Sequence, residues 1–529
     1  MTGVAGLSRL ILRRDRIIMP AWIVVLSLLP VEYVSATRDL YPNDAAAAQY
    51  AHSISNNPTF LALLGPVFGT SIGALGAWRS LFAMVFVGLA SILTVIRHTR
   101  TDEEAGRREL LGATVVGRHA PLAAALLVTA AADLVLGLLV ALWMMALGLP
   151  AVGSLALGLS WTVIGCVFAA IGGLTAQLTQ GAGAARGIAI AVLGAAYLVR
   201  AAGDAGGANS PLSWLSWVSP IGWMQRLRPF ADEQWWVLGP ALALAATVTV
   251  GTFALSAHRD VGAGMLPDRL GPPEAPPALR SPLALAWRLH RGLLFGWTAG
   301  FAVYGLVVGG VAKGVVDMTA GSSSLGDMLR RLGGQSAILD AYVAAVINLL
   351  AIAVAAYAVQ ATLRLRAEET AQRAEPVLAT AVGRMRWAAS HLAFAILGPT
   401  VVLVVFGLCV GLGQGLAIHD VSGTVPHVLP GALVQLPAVW LLSGLTMALL
   451  GLAPRAAWGA WVALAACFLV GQLGALLKLD QRVMDISPFT HVPKVPGGSI
   501  AATPLVWLAV AAAGLLIVGL VGLRHRDVG

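Results

Sequence analysis

Twelve long apolar runs set the limits on this chain, near residues 17–36, 75–97, 120–148, 153–178, 186–203 and 236–257, then 292–315, 340–363, 388–413, 428–452, 456–478 and 503–523. Each approaches the ~20 apolar residues that an α-helix needs to cross ~30 Å of hydrocarbon. The runs are continuous rather than alternating, which excludes a closed β-barrel. With 58% hydrophobic and only 11% charged residues, the chain carries more apolar surface than a soluble core of its length can hide. The expected fold is an all-α integral membrane protein of about twelve transmembrane helices.

A duplication divides the runs into two sets. The pentapeptide His-Arg-Asp-Val-Gly follows the sixth run at 258–262 and the twelfth at 525–529. At a nearly constant offset, Arg100, Glu103, Arg107, Glu109 and Arg118 recur as Arg366, Glu369, Arg373, Glu375 and Arg384, and Arg13, Arg16 and Trp22 recur as Arg288, Arg291 and Trp297. Both copies of the ending come after an even number of crossings, so the halves are expected as parallel six-helix repeats. The domains are then 1–262, a Pro-rich linker at 263–282 containing Pro272, Pro273, Pro276 and Pro277, and 283–529.

Charge orients the chain. About 23 of the 34 Lys and Arg residues fall at the N-terminus, in the loops after even-numbered runs and at the C-terminus. By the positive-inside rule both termini are cytoplasmic, in a multi-pass protein of the cell membrane. The net charge of +9 then reflects orientation and contact with anionic lipid, and no nucleic-acid partner is implied. No cleavable signal is evident, since Arg9, Arg13, Arg14 and Arg16 lead into a full-length span. Cys166, Cys409 and Cys467 lie inside predicted spans without metal-ligand spacing and read as apolar fillers, and no metal site is expected.

The most informative loop follows the second run: Thr101, Asp102, Glu103, Glu104, Ala105, Gly106, Arg107, Arg108, Glu109, Leu110, Leu111, Gly112. Thr101 and Glu104 have capping-box spacing, and acids precede bases as the helix dipole favours, so one short helix is expected. Leu110 and Leu111 would give it an apolar patch suited to a groove on a soluble partner. An ordinary loop with snorkelling arginines needs no Glu103 or Glu109.

The segment Glu103 to Arg118 resembles the motif after the second span of ABC-2 type exporter permeases. In that family the segment is the coupling helix that contacts the ATPase subunit. Val4 to Arg16 is similar to the family's N-terminal elbow helix, and Ser219-Pro220 and Ser487-Pro488 resemble the outer segments before the sixth span of each half. With two halves in one polypeptide, the chain looks most like the fused actinobacterial permeases described as polyketide-antibiotic or multidrug exporters. The resemblance implies coupling residues Asp102, Glu103, Glu104, Gly106, Arg107, Glu109, Leu110 and Leu111, with Glu368, Glu369, Arg373 and Glu375 in the second copy. There Leu110 is replaced by Pro376 and Gly106 by Gln372, so the second copy is expected to bend or stop earlier. Reversing Glu103 and Glu109 to Arg is expected to break partner contacts and leave the spans folded; reversing Glu369 and Glu375 is expected to do less.

No Gly-x-x-x-x-Gly-Lys-Ser/Thr occurs, nor any Gly-Lys dipeptide, so the chain cannot cradle nucleotide phosphates in a P-loop. The resemblance therefore implies a permease that is no enzyme itself, two copies of a separate ATPase subunit holding Mg-ATP, and a small hydrophobic or amphipathic cargo. The alternative is a proton-coupled twelve-span secondary transporter. It fits less well, because the segment from Thr37 to Ser71 is long and proton coupling normally needs several intramembrane ionisable groups, for which Asp133 is the one clear candidate. A membrane-embedded transferase or protease would gather acids or histidines at one depth, whereas the ten histidines scatter over loops and span ends.

Asp133 lies mid-span, where an uncompensated charge costs at least ~2.5 kcal/mol. It reads either as a carboxyl bonded to a hydroxyl such as Thr129 or as a ligand for cationic cargo in a central cavity, with Trp143 and Met144 as further candidate cavity residues. Trp217 and Trp223, with Phe489 of the second half, are the candidate outer gate; an interfacial aromatic belt is the plainer reading of the tryptophans.

Overall fold

Backbone polar groups in hydrocarbon must be satisfied within the segment that carries them, so apolar runs of this length fold as helices. The computed structural model describes residues 2–41, 43–55, 58–207, 210–266, 273–320, 334–473 and 480–526. Among these residues the regular structure is all helical, without strands, and eleven helices are long and apolar enough to cross a membrane. A shorter apolar helix, Gly459–Leu473, stands where the eleventh of twelve spans is expected. The protein is an all-α integral membrane protein of about twelve spans.

The chain forms two compact units, Met1–Gly271 and Pro272–Gly529. In the first, the amphipathic helix Val4–Arg14 buries Leu7 and Ile11, one turn apart, and precedes the spans Ile18–Leu40, Ile72–Glu104, Ala120–Ala146, Ala151–Leu178, Ala182–Ala205 and Trp235–His258. The second unit has Pro282–Gly310, Leu339–Thr370, Arg384–Ile418, Val421–Leu452, the shorter helix and Ala502–His525.

Small residues let the helices approach where no soluble-type hydrophobic force draws them together. In the first unit, a Cβ on Gly137 of the third span would lie 2.4 Å from the carbonyl oxygen of Gly158 in the fourth. In the second unit, a Cβ on Gly451 would lie 2.1 Å from the Gly519 oxygen, at the contact of the tenth and twelfth spans.

Pro399 interrupts the ninth span and removes the donor that would bond Ala395, four residues earlier. Neighbours make good the loss. Ser443 Oγ donates to the Ala395 oxygen at 3.2 Å, Trp440 Nε1 to that of Ile396 at 3.0 Å, and Tyr357 Oη to that of Phe394 at 3.2 Å.

The long segment between the first two spans is folded. It forms the helices Asp44–Ile54 and Pro58–Leu64; Asn43 caps the former, and Asp44 Oδ1 accepts a bond from the Ile72 amide at 3.1 Å.

Candidate functional site

The loop after the second span is two short helices, Arg100–Glu104 and Arg107–Gly112, joined through Gly106 in the left-handed region at φ 69°. The single helix expected from the sequence is thus broken. The capping box is also unused: Thr101 Oγ1 accepts a bond from Arg186 at 2.7 Å, and Glu104 Oε2 accepts the Ala182 amide at 3.1 Å. Both residues lie past the helix start and tie the loop to the fifth span instead.

Glu103, expected on the outer surface of this helix, is buried at 8% exposure. Its Oε2 accepts from Arg100 at 2.9 Å and Arg259 at 2.8 Å, and its Oε1 from Arg108 at 3.2 Å and the Gly262 amide at 2.8 Å. The carboxylate holds an internal cluster, because the backbone break turns residues 100–104 toward the end of the sixth span. Asp102 is bound by Arg14 at 2.8 Å and by Arg107 at 2.5 Å. Arg107, about half exposed, and Glu109 carry accessible charge, as does Glu104 beside its bond to Ala182. The apolar patch expected from Leu110 and Leu111 rests on side chains outside the described residues.

The second copy repeats this geometry. Its helices are Gly334–Thr370 and Ala374–Leu378, and Gln372 takes the left-handed conformation of Gly106, at φ 56°. The early bend expected only of the second copy is therefore common to both, and Pro376 sits in the first turn of Ala374–Leu378, where its missing N–H leaves no intrahelical bond unmade. Arg373 Nε donates to Glu368 Oε2 at 2.8 Å, as Arg107 does to Asp102. Arg526 Nη2 grips both oxygens of Glu369, at 2.6 and 2.7 Å, as Arg259 holds Glu103. Glu375 is exposed.

A Cβ at Gly106 would meet nothing within 4 Å, so a substitution there tests the backbone alone. Gly106→Val should destabilise the permease by about 1–2 kcal/mol, the cost of forcing a β-branched residue left-handed. Gln372→Gly should be neutral or slightly stabilising. Thermal unfolding of both variants in detergent checks this, and an unchanged melting temperature for Gly106→Val would show that the break does not persist in solution.

The structure buries Asp133 completely and gives it Ser91 as partner, Ser91 Oγ donating to Oδ1 at 2.8 Å. Thr129 turns to the Ala125 oxygen instead. A Cβ on Gly165 would lie 2.4 Å from the Asp133 carboxyl carbon, so the fourth span closes over it. Met144 is buried in the first unit while the adjacent Trp143 is exposed, so the two do not share a face.

Trp217 and Trp223 come together outside the fifth span. Trp223 Nε1 donates to the Trp217 oxygen at 2.6 Å, Trp217 stacks on Trp236 with centroids 5.6 Å apart, and Arg226 lies 5.0 Å over the Trp217 ring. Phe489 belongs to the second unit and is buried there, its carbonyl accepting from Asn348 at 3.2 Å.

Sequence reasoning passed over three buried charged or polar groups. Asp204 accepts from Ser216 at 2.6 Å and Arg226 at 3.1 Å and faces Arg200 at 3.7 Å; Arg200, fully buried, donates to the Leu63 oxygen at 3.1 Å. His98 Nε2 meets Asp15 at 2.6 Å, and His290 Nε2 meets His391 Nδ1 at 3.0 Å. The histidines that read as scattered are in part paired, because helix ends far apart in sequence converge. Arg200 in an apolar run was the signal for the first group.

A 44% identity over 531 residues, spanning all of this chain and 95% of the other, relates it to the multidrug efflux system permease protein Rv1217c of Mycobacterium tuberculosis. The chain belongs to the multidrug efflux permease family. Consistently, residues 279–524 match the family model of the C-terminal domain of that permease, so the second unit of this efflux permease corresponds to that domain.

Proposed function

We propose that this permease is the membrane subunit of an ATP-driven exporter of the ABC-2 type, which expels hydrophobic or amphipathic compounds, antibiotics among them, across the cell membrane. The observation that carries the reading is the duplicated loop with an accessible charged side, Arg107 and Glu109 in one copy and Arg373 and Glu375 in the other. Such a pair of surfaces suits two copies of one ATPase. The chain contains no P-loop, so Mg-ATP would bind in that separate subunit. With both termini cytoplasmic, as the arginine distribution favours, the two loops face the ATPases. Their closure would push on the loops, and the two halves would rock to release cargo outward.

The relative's name supports efflux of several drugs. Asp133 as a ligand for cationic cargo belongs to the same reading, as do Trp217 and Trp223 as gate residues of the first unit and Phe489, by itself, as one of the second. For Asp133 the cavity would have to open between the second, third and fourth spans.

The test begins with a search for an ATPase reading frame beside the gene, followed by co-expression and co-purification of the two products and drug uptake into inverted vesicles. The expected result is vanadate-sensitive uptake that needs ATP and both proteins, with no hydrolysis by the permease alone. Uptake driven by a proton gradient without ATP would replace this reading with a secondary transporter, and specific hydrolysis by partner-free permease would overturn it.

A further inference from the structure

The repeated His-Arg-Asp-Val-Gly ending has no role in the reading so far, and an ending copied at both 258–262 and 525–529 calls for one. Its arginine makes the same two connections in each unit. Arg259 donates to Glu103 at 2.8 Å and Arg526 to Glu369 at 2.6 Å, joining the end of the last span to the loop after the second. The arginines' own carbonyls are bound in turn, Arg118 donating to the Arg259 oxygen at 2.7 Å and Arg384 to the Arg526 oxygen at 2.9 Å. Arg118 stands two residues ahead of the third span and Arg384, at the matching position, begins the ninth. In the first unit Arg259 Nε also donates to Gln177 Oε1 at 2.9 Å, at the end of the fourth span.

We propose that Arg259 and Arg526 are struts that make each loop move as one body with the ends of the last span and the start of the third span of its own unit. The buried carboxylates Glu103 and Glu369 are then positioning residues: they pass force inward, while partner contact falls to the exposed side of the loop. An ion pair suits this task. Each pair is screened from water, with side-chain exposures of 4% and 2% for Arg259 and Glu103 and 16% and 3% for Arg526 and Glu369, so it resists being pulled apart more than a surface pair does. The sequence explains why the device sits in both units, since both halves of each pair lie in duplicated motifs. Transmission of force from an ATPase rests on the reading proposed above; the mechanical link itself does not.

The experiment therefore has two arms. In the first, amide hydrogen exchange is followed in the full-length permease alone, for wild type, Arg259→Gln, Arg526→Gln and the conservative Arg→Lys variants. Loss of a charge-assisted bond should raise exchange across 100–106 in Arg259→Gln, and across 366–372 in Arg526→Gln, by about tenfold or more. The Lys variants should fall between, and the core of the ninth span should not change. Unchanged exchange in both Gln variants would overturn the proposal. In the second arm, drug uptake per ATP hydrolysed is measured with the ATPase present. The Gln variants should retain hydrolysis and lose most of the uptake per ATP; full coupling despite faster exchange would equally overturn it. If wild-type permease recruits no ATPase, the exporter reading fails, and the strut still stands or falls on exchange. Should Arg259→Gln not accumulate, Arg526→Gln carries both arms, because Arg526 is the less enclosed of the two.

Discussion

Glu103→Arg should prevent the permease from folding, whereas Glu109→Arg should leave it intact. The Glu103 carboxylate accepts four bonds, three of them from Arg100, Arg108 and Arg259. Removing one partner from a buried ion pair costs about 3–5 kcal/mol, and here the substitution also places a fourth cation among three. Glu109 is exposed, and its reversal disturbs only the surface that a partner would meet. Size-exclusion profiles and melting temperatures of the two variants decide the matter: no monodisperse Glu103→Arg protein, against a Glu109→Arg permease within a degree or two of wild type that, on the exporter reading proposed above, would bind an ATPase weakly. A well-folded Glu103→Arg permease would mean that the cluster does not form and that Glu103 faces outward after all. Glu369→Arg should be damaging in the same way and to a lesser degree, because among the described residues Arg526 is its close partner, with Arg366 further off at 3.7 Å.

This outcome differs from what the loop's sequence suggests, and the reason is instructive. Hydropathy is local, so span after span was legible from the runs alone. Whether Glu103 or Glu109 faces a partner depends on two things the loop does not state. One is the left-handed Gly106, which turns the first short helix relative to the second. The other is Arg259, more than 150 residues away. The signal was nevertheless in the chain: both partners of the pair lie in the segments that recur, and a duplicated motif without a local job is a candidate for a duplicated contact. Gln372 is a related case. As a departure from Gly106 it argued for a different shape, yet it adopts the same conformation, since the surrounding pairs Arg373–Glu368 and Arg526–Glu369 outweigh the modest strain of a left-handed glutamine.

Asp204→Ala should release the segment before the sixth span of the first unit. Asp204 is 2% exposed, and Arg200 is fully buried one helical turn before it. The pair is more than a local helix contact. Arg200 reaches the Leu63 oxygen at 3.1 Å and lies 4.5 Å over the Tyr197 ring, while Asp204 holds Ser216 and Arg226 on either side of Trp217 and Trp223, so the helix Pro58–Leu64 and the tryptophan segment both hang on these two charges. Without the carboxylate a buried guanidinium is left uncompensated, at a cost of about 3–5 kcal/mol. The melting temperature should fall by about 10 °C. Iodide should quench the tryptophans more strongly, because Trp217 loses the Arg226 that Asp204 positions over its ring. A paired replacement, Arg200→Met with Asp204→Leu, separates charge from packing. Removing both charges spares the uncompensated guanidinium, so the double variant should be more stable than Asp204→Ala even though it has lost the bonds to Leu63 and Ser216. If Asp204→Ala melts with wild type, the segment before the sixth span is held by its apolar contacts and the ion cluster is incidental. If the double variant is the less stable, the hydrogen bonds of Arg200 to the loop carbonyl matter more than its charge balance.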